Sequence, residues 1–480
     1  MLENYKCEGD LFDEMLAKTP NAVEHYQKFV KQFAEYDKSD FLRLKDEAKI
    51  QFFNEGITFA TYNNNAEGTE RIFPFDMIPR IIPAKEWDTV EKGLIQRNMA
   101  INAFLDDLYH DKKILKEGIV PLDLIQSSIN LLAQMQGVDP PGGIYNHISG
   151  TDLIRHNDGE YYILEDNVRV PSGVSYVLAN RNSLKKTLPK LFKECEVQLV
   201  QEYPDKLLQM MQSVAPQGVD EPNCVLLTPG MYNSAYFEHS FLAQSMGIDL
   251  VEGRDLFVDN NFVYTKTIYG PKRVDVIYRR VDDLFIDPLE FRQDSALGTA
   301  GLMHAYREGN VAIVNAPGTG VADDKAVYIY MPEIIKYYLG EEAILKNVPT
   351  YRCEKEDDYK YVMENIHQLV VKPVDESGGY GISIGSTLTK AEIEEVKQTI
   401  KGNRRKYIAQ PIMSLSVHPT YIEDSDQFEP RHIDLRTFCL QGKDFQYVLP
   451  GGLTRVALKK GTLIVNSSQG GGSKDTWILS

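Results

Sequence analysis

Residues 368–384 read Gln368-Leu-Val-Val-Lys372-Pro-Val-Asp-Glu-Ser377-Gly378-Gly379-Tyr380-Gly381-Ile-Ser-Ile384. A lysine stands inside an apolar, β-prone run, and a glycine-rich loop and a second apolar run follow it. An ammonium group in a buried strand is costly unless it meets an anion. A loop with three glycines can bring successive backbone N–H groups against phosphate oxygens. Together these features predict a phosphate clamp, with Lys372 as a point charge and Ser377, Gly378, Gly379, Tyr380 and Gly381 as its cover. A tight hairpin with a snorkelling edge lysine is the competing reading, and the loop alone leaves it favoured. Downstream, Lys406-Tyr-Ile-Ala-Gln410-Pro-Ile412 reads as a short strand whose Gln410 can meet an adenine edge; taken alone, a plain core strand is the better reading.

A complementary segment lies roughly two hundred residues upstream: Ser149-Gly-Thr-Asp152-Leu-Ile-Arg155-His-Asn-Asp-Gly-Glu-Tyr-Tyr-Ile-Leu-Glu165-Asp-Asn167-Val-Arg169-Val-Pro-Ser-Gly173. Asn157-Asp158-Gly159 predicts a hairpin turn. Asp152 and Glu165 can then face each other across the hairpin, and Glu165 and Asn167, two apart, share a strand face. Two carboxylates and an amide oxygen make a hard donor set suited to magnesium shared with nucleotide phosphates. A polar edge hairpin with unrelated charges is the alternative.

Composition narrows the classes. The chain has 480 residues, so two or three domains are expected. Asp plus Glu total 69 against 52 Lys plus Arg, a net charge of −17, and there is no basic stripe. That balance argues against a nucleic-acid partner. Five cysteines at wide spacings, with no CxxC pair, point to neither a disulfide framework nor a zinc site and fit a reducing compartment. The acidic N-terminus does not read as a signal peptide, and no apolar run suits a membrane span, so a cytoplasmic location is expected. There is no GxxxxGK[ST], GxGxxG, HExxH or GxSxG.

The chain divides by texture into four regions. Residues 1–140 look mainly helical, with Leu94, Ile101, Phe104, Leu105 and Leu108 on one helical face and a proline-broken extended connector at 71–83. Residues 141–220 hold the hairpin. Residues 221–345 look α/β, with strands at 224–228, 248–252, 274–280 and 311–315, a helix over 235–246 closed by Gly247, and Asp323 capping a helix from Asp324. Residues 346–480 look α+β, with strands at LVVKPV, YIAQPI, IDLRTFCL and TLIVN and a charged helix near 390–401.

The whole pattern resembles the circularly permuted ATP-grasp family, type 2, with a glutathionylspermidine-synthase-like character. The likeness rests on Phe73-Pro-Phe-Asp-Met-Ile-Pro-Arg-Ile-Ile-Pro83, His147-Ile-Ser-Gly-Thr-Asp-Leu153, Leu164-Glu-Asp-Asn-Val-Arg-Val-Pro-Ser-Gly-Val-Ser-Tyr176 and Val371-Lys-Pro-Val-Asp-Glu-Ser-Gly-Gly-Tyr-Gly381. In ordinary ATP-grasp enzymes the lysine-and-glycine segment comes first; here it follows the acidic segment, as a permuted member requires. The resemblance implies an α+β fold with an α/β pre-ATP-grasp-like subdomain. It implies ATP and Mg2+, with Asp152, Glu165 and Asn167 as magnesium ligands. Lys325, Lys372, the 377–381 loop and Gln410 would hold the nucleotide.

The activity implied is an ATP-dependent carboxylate–amine ligase acting through an acyl phosphate on a small-molecule or peptide carboxylate and an amine. A small-molecule kinase of the same fold and a non-catalytic nucleotide-binding scaffold are the alternatives. Arg455, Arg280 and Arg169 are the candidates for orienting the carboxylate. Glutathionylspermidine synthases carry an arginine two residues before the first metal ligand, where this chain has Gly150; Arg155 or Arg169 can replace it, at a different spacing. Asp434 and Arg436 alternate on one strand and are expected to pair with each other. Gly470, Gly471, Gly472 and Lys474 can form an anion nest, with Trp477 docked in a core. One of Arg279 and Arg280 is expected in a surface ion pair.

Overall fold

The computed structural model describes residues 1–2, 5–7, 9, 11–17, 22–62, 68–375, 381–466 and 470–480. Ser377, Gly378, Gly379 and Tyr380 of the expected phosphate loop lie outside the described residues.

The amphipathic stretches near the N-terminus fold as helices α1 (Glu24–Phe33) and α2 (Lys38–Asn54), and a longer one as α3 (Ala84–Tyr109). Asp37 caps α2 by accepting the Asp40 N–H. The hairpin β1 (Thr58–Tyr62) and β2 (Gly68–Ile72) and strand β3 (Phe75–Ile82) stand between α2 and α3. The proline-broken segment is therefore extended, as its prolines require, but paired rather than a free connector. It terminates a sheet, hydrogen-bonded on one side only, to the C-terminal strand. An edge position tolerates Pro79, which has no N–H for a second ladder.

The hairpin strands β4 (Ile148–Arg155) and β5 (Tyr161–Asn167) follow, then helix α4 (Val174–Thr187). A parallel four-stranded sheet comes next: β6 (Cys224–Leu227), β7 (Asp249–Val251), β8 (Val276–Arg279) and β9 (Ala312–Val314), in spatial order β9-β8-β6-β7. Helix α5 (Tyr236–Met246) links β6 to β7, and Gly247 ends it with φ +69°, the left-handed cap expected of glycine. The short helix α6 (Lys325–Tyr328) is capped by Asp324, one residue beyond the expected cap, through the Ala326 N–H.

Strands β10 (Lys346–Asn347), β11 (Tyr351–Arg352), β12 (Leu369–Pro373), β13 (Ser383–Ile384) and β14 (Tyr407–Pro411) come next, with helix α7 (Lys390–Gly402) before β14. The capping box of α7 joins Thr389 and Glu392. β11, β14, β12 and β13 make an antiparallel sheet. Finally β15 (Gln427–Gly442), β16 (Leu453–Val456) and β17 (Gly472–Ile478) complete the nine-stranded central sheet, whose main path is β10-β5-β4-β15-β16-β17-β3. TLIVN (462–466) forms no strand; Leu463, Ile464 and Val465 line a cavity instead. Trp477 is fully buried against Phe29 and Phe192, so the C-terminus docks in the core as expected.

Permutation becomes physical at the centre of this sheet. β4 pairs with β15 over six residues, from Leu153↔Leu435 to Ile148↔Leu440. The acidic hairpin and the C-terminal strands thus share one sheet despite their separation in sequence.

Candidate active site

The register of β4 and β5 sets Asp152 opposite Glu165 and Gly150 opposite Asn167. Alternation sends Glu165 and Asn167 to one face and Asp166 to the other. On that other face Arg97 of α3 grips Asp166 with Nε at 2.7 Å and Nη2 at 2.6 Å. This fully buried fork fixes the strand that presents Glu165. The Asn167 amide nitrogen donates to the Gly150 carbonyl at 3.1 Å, and its Oδ1 takes no partner among the described residues.

Across from this hairpin stands the antiparallel sheet. Lys372 on β12 is buried, and its Nζ donates to Gln410 Oε1 at 2.7 Å. Gln410 in turn donates to Thr350 at 3.0 Å, so its amide orientation is set from both ends. Lys325 reaches Glu165 at 3.3 Å, and its backbone N–H bonds to the Val374 carbonyl at the end of β12. Gly381 closes the described part of the loop with φ +70°; a Cβ there would lie 3.1 Å from Pro373 Cγ.

Asp152, Glu165, Lys325, Lys372, Gln410 and Arg455 all line one cavity. Its other walls are apolar, among them Val370, Ile384, Met413 and Leu463. The enclosed part is about 110 Å3. The polar floor alternates in sign. Arg436 grips Asp152 with Nε at 2.6 Å and Nη2 at 2.8 Å, and Arg455 reaches Asp152 at 2.8 Å and Asp434 at 2.8 Å. Burial alone would raise the Asp152 carboxyl, yet Arg436 and Arg455 hold it well below the ordinary carboxylate range.

The expected Asp434–Arg436 pairing is replaced by cross-strand pairing. The register sets Asp434 opposite Arg455 and Arg436 opposite Asp152, so each charge finds its partner on a neighbouring strand. Arg436 is the site residue that the sequence reading set aside. Its only local signal is a second charge two residues from Asp434 in an otherwise apolar run.

Arg169 and Arg280 do not line this cavity. Arg169 pairs with Asp282 at 2.9 Å and Asp323 at 3.6 Å. Arg280 is buried and donates to the Pro171 carbonyl at 2.6 Å, Tyr278 at 3.1 Å, Glu238 at 3.2 Å and the Ser172 hydroxyl. It borders a second cavity together with Ser172 and His239. Burial pushes His239 down to about 2, so its imidazole is neutral. Arg279 is not at the surface either; it is fully buried on Asp283 at 2.8 Å. Lys474 does not join an anion nest: it is buried, held by Asp76 and the Pro419 carbonyl.

Residues 79–457 match the family described as circularly permuted ATP-grasp type 2. The chain belongs to that family. An uncharacterized protein of Synechocystis sp. is 54% identical over 432 residues, covering 90% of this chain and 89% of its own. An uncharacterized protein of Mycobacterium leprae is 46% identical, covering 98% of this chain and 82% of its own. A Frankia casuarinae protein named putative glutamate–cysteine ligase 2-2 is 43% identical over 88% of this ATP-grasp chain, which spans only 48% of that longer protein. Among solved structures, a glutathione synthetase-like effector of Globodera pallida superposes with a TM-score of 0.60 at 14% identity, over 92% of this chain and 98% of its own. That likeness concerns the fold. No described helix is long and apolar enough to cross a membrane.

Lys372 makes the site pH-sensitive. Burial disfavours its ammonium form and lowers it to about 8; Glu165 opposes this, and Lys325 adds to it. An unfolded lysine titrates near 10.5. The folded chain therefore binds this proton less tightly, a cost to stability that is full below about pH 8 and fades as pH rises to 10.5. A phosphate beside Lys372 favours the ammonium form. If a nucleotide's phosphates sit beside Lys372, its affinity should be flat from pH 7.5 to about 8 and then fall by up to about tenfold per pH unit. Calorimetric titration across this range checks it, and Lys372→Arg should flatten the profile because a guanidinium stays charged.

Proposed function

We propose that this chain is an ATP- and magnesium-dependent carboxylate–amine ligase that forms an amide bond through an acyl phosphate. The observation that carries the reading is the meeting of Lys372 and Glu165, roughly two hundred residues apart in the sequence, in one cavity with Gln410. Lys325, Lys372 and Arg455 line it beside the carboxylates of Asp152, Glu165 and Asp434, a lining that suits a triphosphate carrying magnesium. Gln410 and the apolar wall suit a planar base. The 377–381 loop is assigned to covering the phosphates.

Glu165 and Asn167 offer oxygens on one strand face, and Asp152 stands opposite, so the donor chemistry fits magnesium. Arg436 and Arg455 already share Asp152, so it would serve the metal and the guanidiniums together. When bound, magnesium would offset charge on the phosphates.

The chemistry asks the protein for positioning rather than a nucleophile. The substrate carboxylate oxygen attacks the γ-phosphorus, the bond to the bridging oxygen breaks, and ADP leaves with that electron pair. The amine nitrogen then attacks the acyl carbon, and phosphate leaves with the C–O pair. The proton lost by the amine passes to phosphate or water. Arg280 and Arg169 are assigned to the second cavity and its margin, where they hold the 169–173 segment.

The test is phosphate release with ATP, magnesium and pooled amino acids, peptides and polyamines. A ligase needs both a carboxylate and an amine. Release with an alcohol alone would make it a kinase, and binding without turnover would make it a scaffold.

A further inference from the structure

Arg436 lines neither cavity itself but touches residues that line both. On one side its guanidinium holds Asp152 and approaches Glu165 at 3.9 Å, two residues lining the nucleotide cavity. On the other side its Nη1 donates to the Ser172 carbonyl at 3.4 Å, and Ser172 lines the second cavity. Gly150 and Gly173 flank its side chain: a Cβ on either would be in ordinary contact with Arg436 Cδ, at 3.8 and 4.0 Å. Its side chain keeps 18% exposure, against 7% for Arg455 and 1% for Arg280, and Asp152 and Ser172 engage only one edge of its fork strongly. The 3.4 Å and 3.9 Å contacts are long, so those N–H groups are the ones an incoming oxygen can take over. Arg155, by contrast, is committed to Glu86 and packs on Phe12 and Tyr161, away from this junction.

We propose that Arg436 is a catalytic residue, its guanidinium touching the substrate carboxylate in the second cavity and the phosphoryl group arriving from the nucleotide cavity. A forked cation at that junction brings two anions together and offsets the charge that grows as oxygen and phosphorus join. Asp152, besides its proposed part at the metal, fixes the fork in plane. This rests on the nucleotide site proposed above, but not on amide formation.

The experiment separates the two claims. Affinities for ADP and for ADP with aluminium fluoride, a phosphoryl mimic, are measured with magnesium on the wild-type chain and on the Arg436→Gln and Arg436→Lys variants. The wild type should bind ADP with aluminium fluoride at least about tenfold more tightly than ADP. Arg436→Gln should lose that difference while its ADP affinity stays within about threefold of wild type, and Arg436→Lys should keep part of it. A purely structural role would weaken both ligands in parallel and lower the melting temperature. That result, an undiminished preference in Arg436→Gln, or no preference in the wild type would overturn the proposal. Loss of the preference in Arg436→Gln, in a protein that releases no phosphate with any acid and amine, would keep Arg436 and sink the ligase reading.

Discussion

Lys372→Met should reduce phosphate release by about 10²–10³-fold, and Glu165→Ala should do the same from the opposite wall of the cavity. The two losses have different characters. Lys372 meets the nucleotide as a charge, so its removal should also weaken ATP binding, and the pH dependence above pH 8 should vanish with it. Methionine fills the same volume without charge, and it leaves Gln410 Oε1 without the donor that now reaches it at 2.7 Å. Glu165→Ala should weaken ATP binding chiefly when magnesium is present, because its proposed role is to hold the metal. It also removes the carboxylate that now stands 3.3 Å from Lys325, so magnesium-free nucleotide binding should change little. Titrating ATP with and without magnesium reads both effects. Equal losses in the two conditions would contradict the assignment of Glu165.

Asp166→Ala should destabilise the chain by about 3–5 kcal/mol, because it leaves the Arg97 guanidinium buried and unpaired. Arg97 also donates to Asn347 at 2.9 Å and lies over the Tyr328 ring, so the stranded charge faces α6 and β10 as well as β5. Replacing both partners, as Arg97→Met with Asp166→Leu, should cost much less, because no charge is then left without its counter-ion. Chemical denaturation of the three variants measures this. The double variant should also recover much of the lost turnover, since Asp166 acts on the site only by fixing the strand that carries Glu165. This gives the N-terminal region a definite part: α3 braces the acidic hairpin from behind.

Much of this arrangement is legible in the residues themselves. The alternation of Glu165 and Asn167 about the Asn157-Asp158-Gly159 turn specifies a hairpin, and Asp152 does stand opposite Glu165. Gly247 marks its helix end because only glycine takes that backbone conformation cheaply. The order of the acidic and lysine segments reads as a permutation, and the fold agrees. What the sequence hides is pairing between distant strands. Asp434 and Arg436 look like mutual partners because they are close in the chain, yet side chains two apart on a strand lie side by side and reach across to β16 and β4 instead. Lys474 looks like part of a glycine-rich anion nest, but β3, on the other side of its strand, brings Asp76 to it. TLIVN has a strand's composition, yet it pairs with no described strand, and its apolar side chains line the cavity. In each case the missing knowledge is which edge lies beside which, and a local pattern does not contain it.

One nucleotide should bridge two stretches of chain that are distant in sequence. A crystal structure with a non-hydrolysable ATP analogue and magnesium tests it most directly. The account predicts the base beside Gln410, the phosphates between Lys372 and Lys325, and the metal on Glu165 and Asn167. A nucleotide bound at the open edge of the β9-β8-β6-β7 sheet, or one touching Lys372 with Glu165 and Asn167 left out of its metal shell, would contradict it.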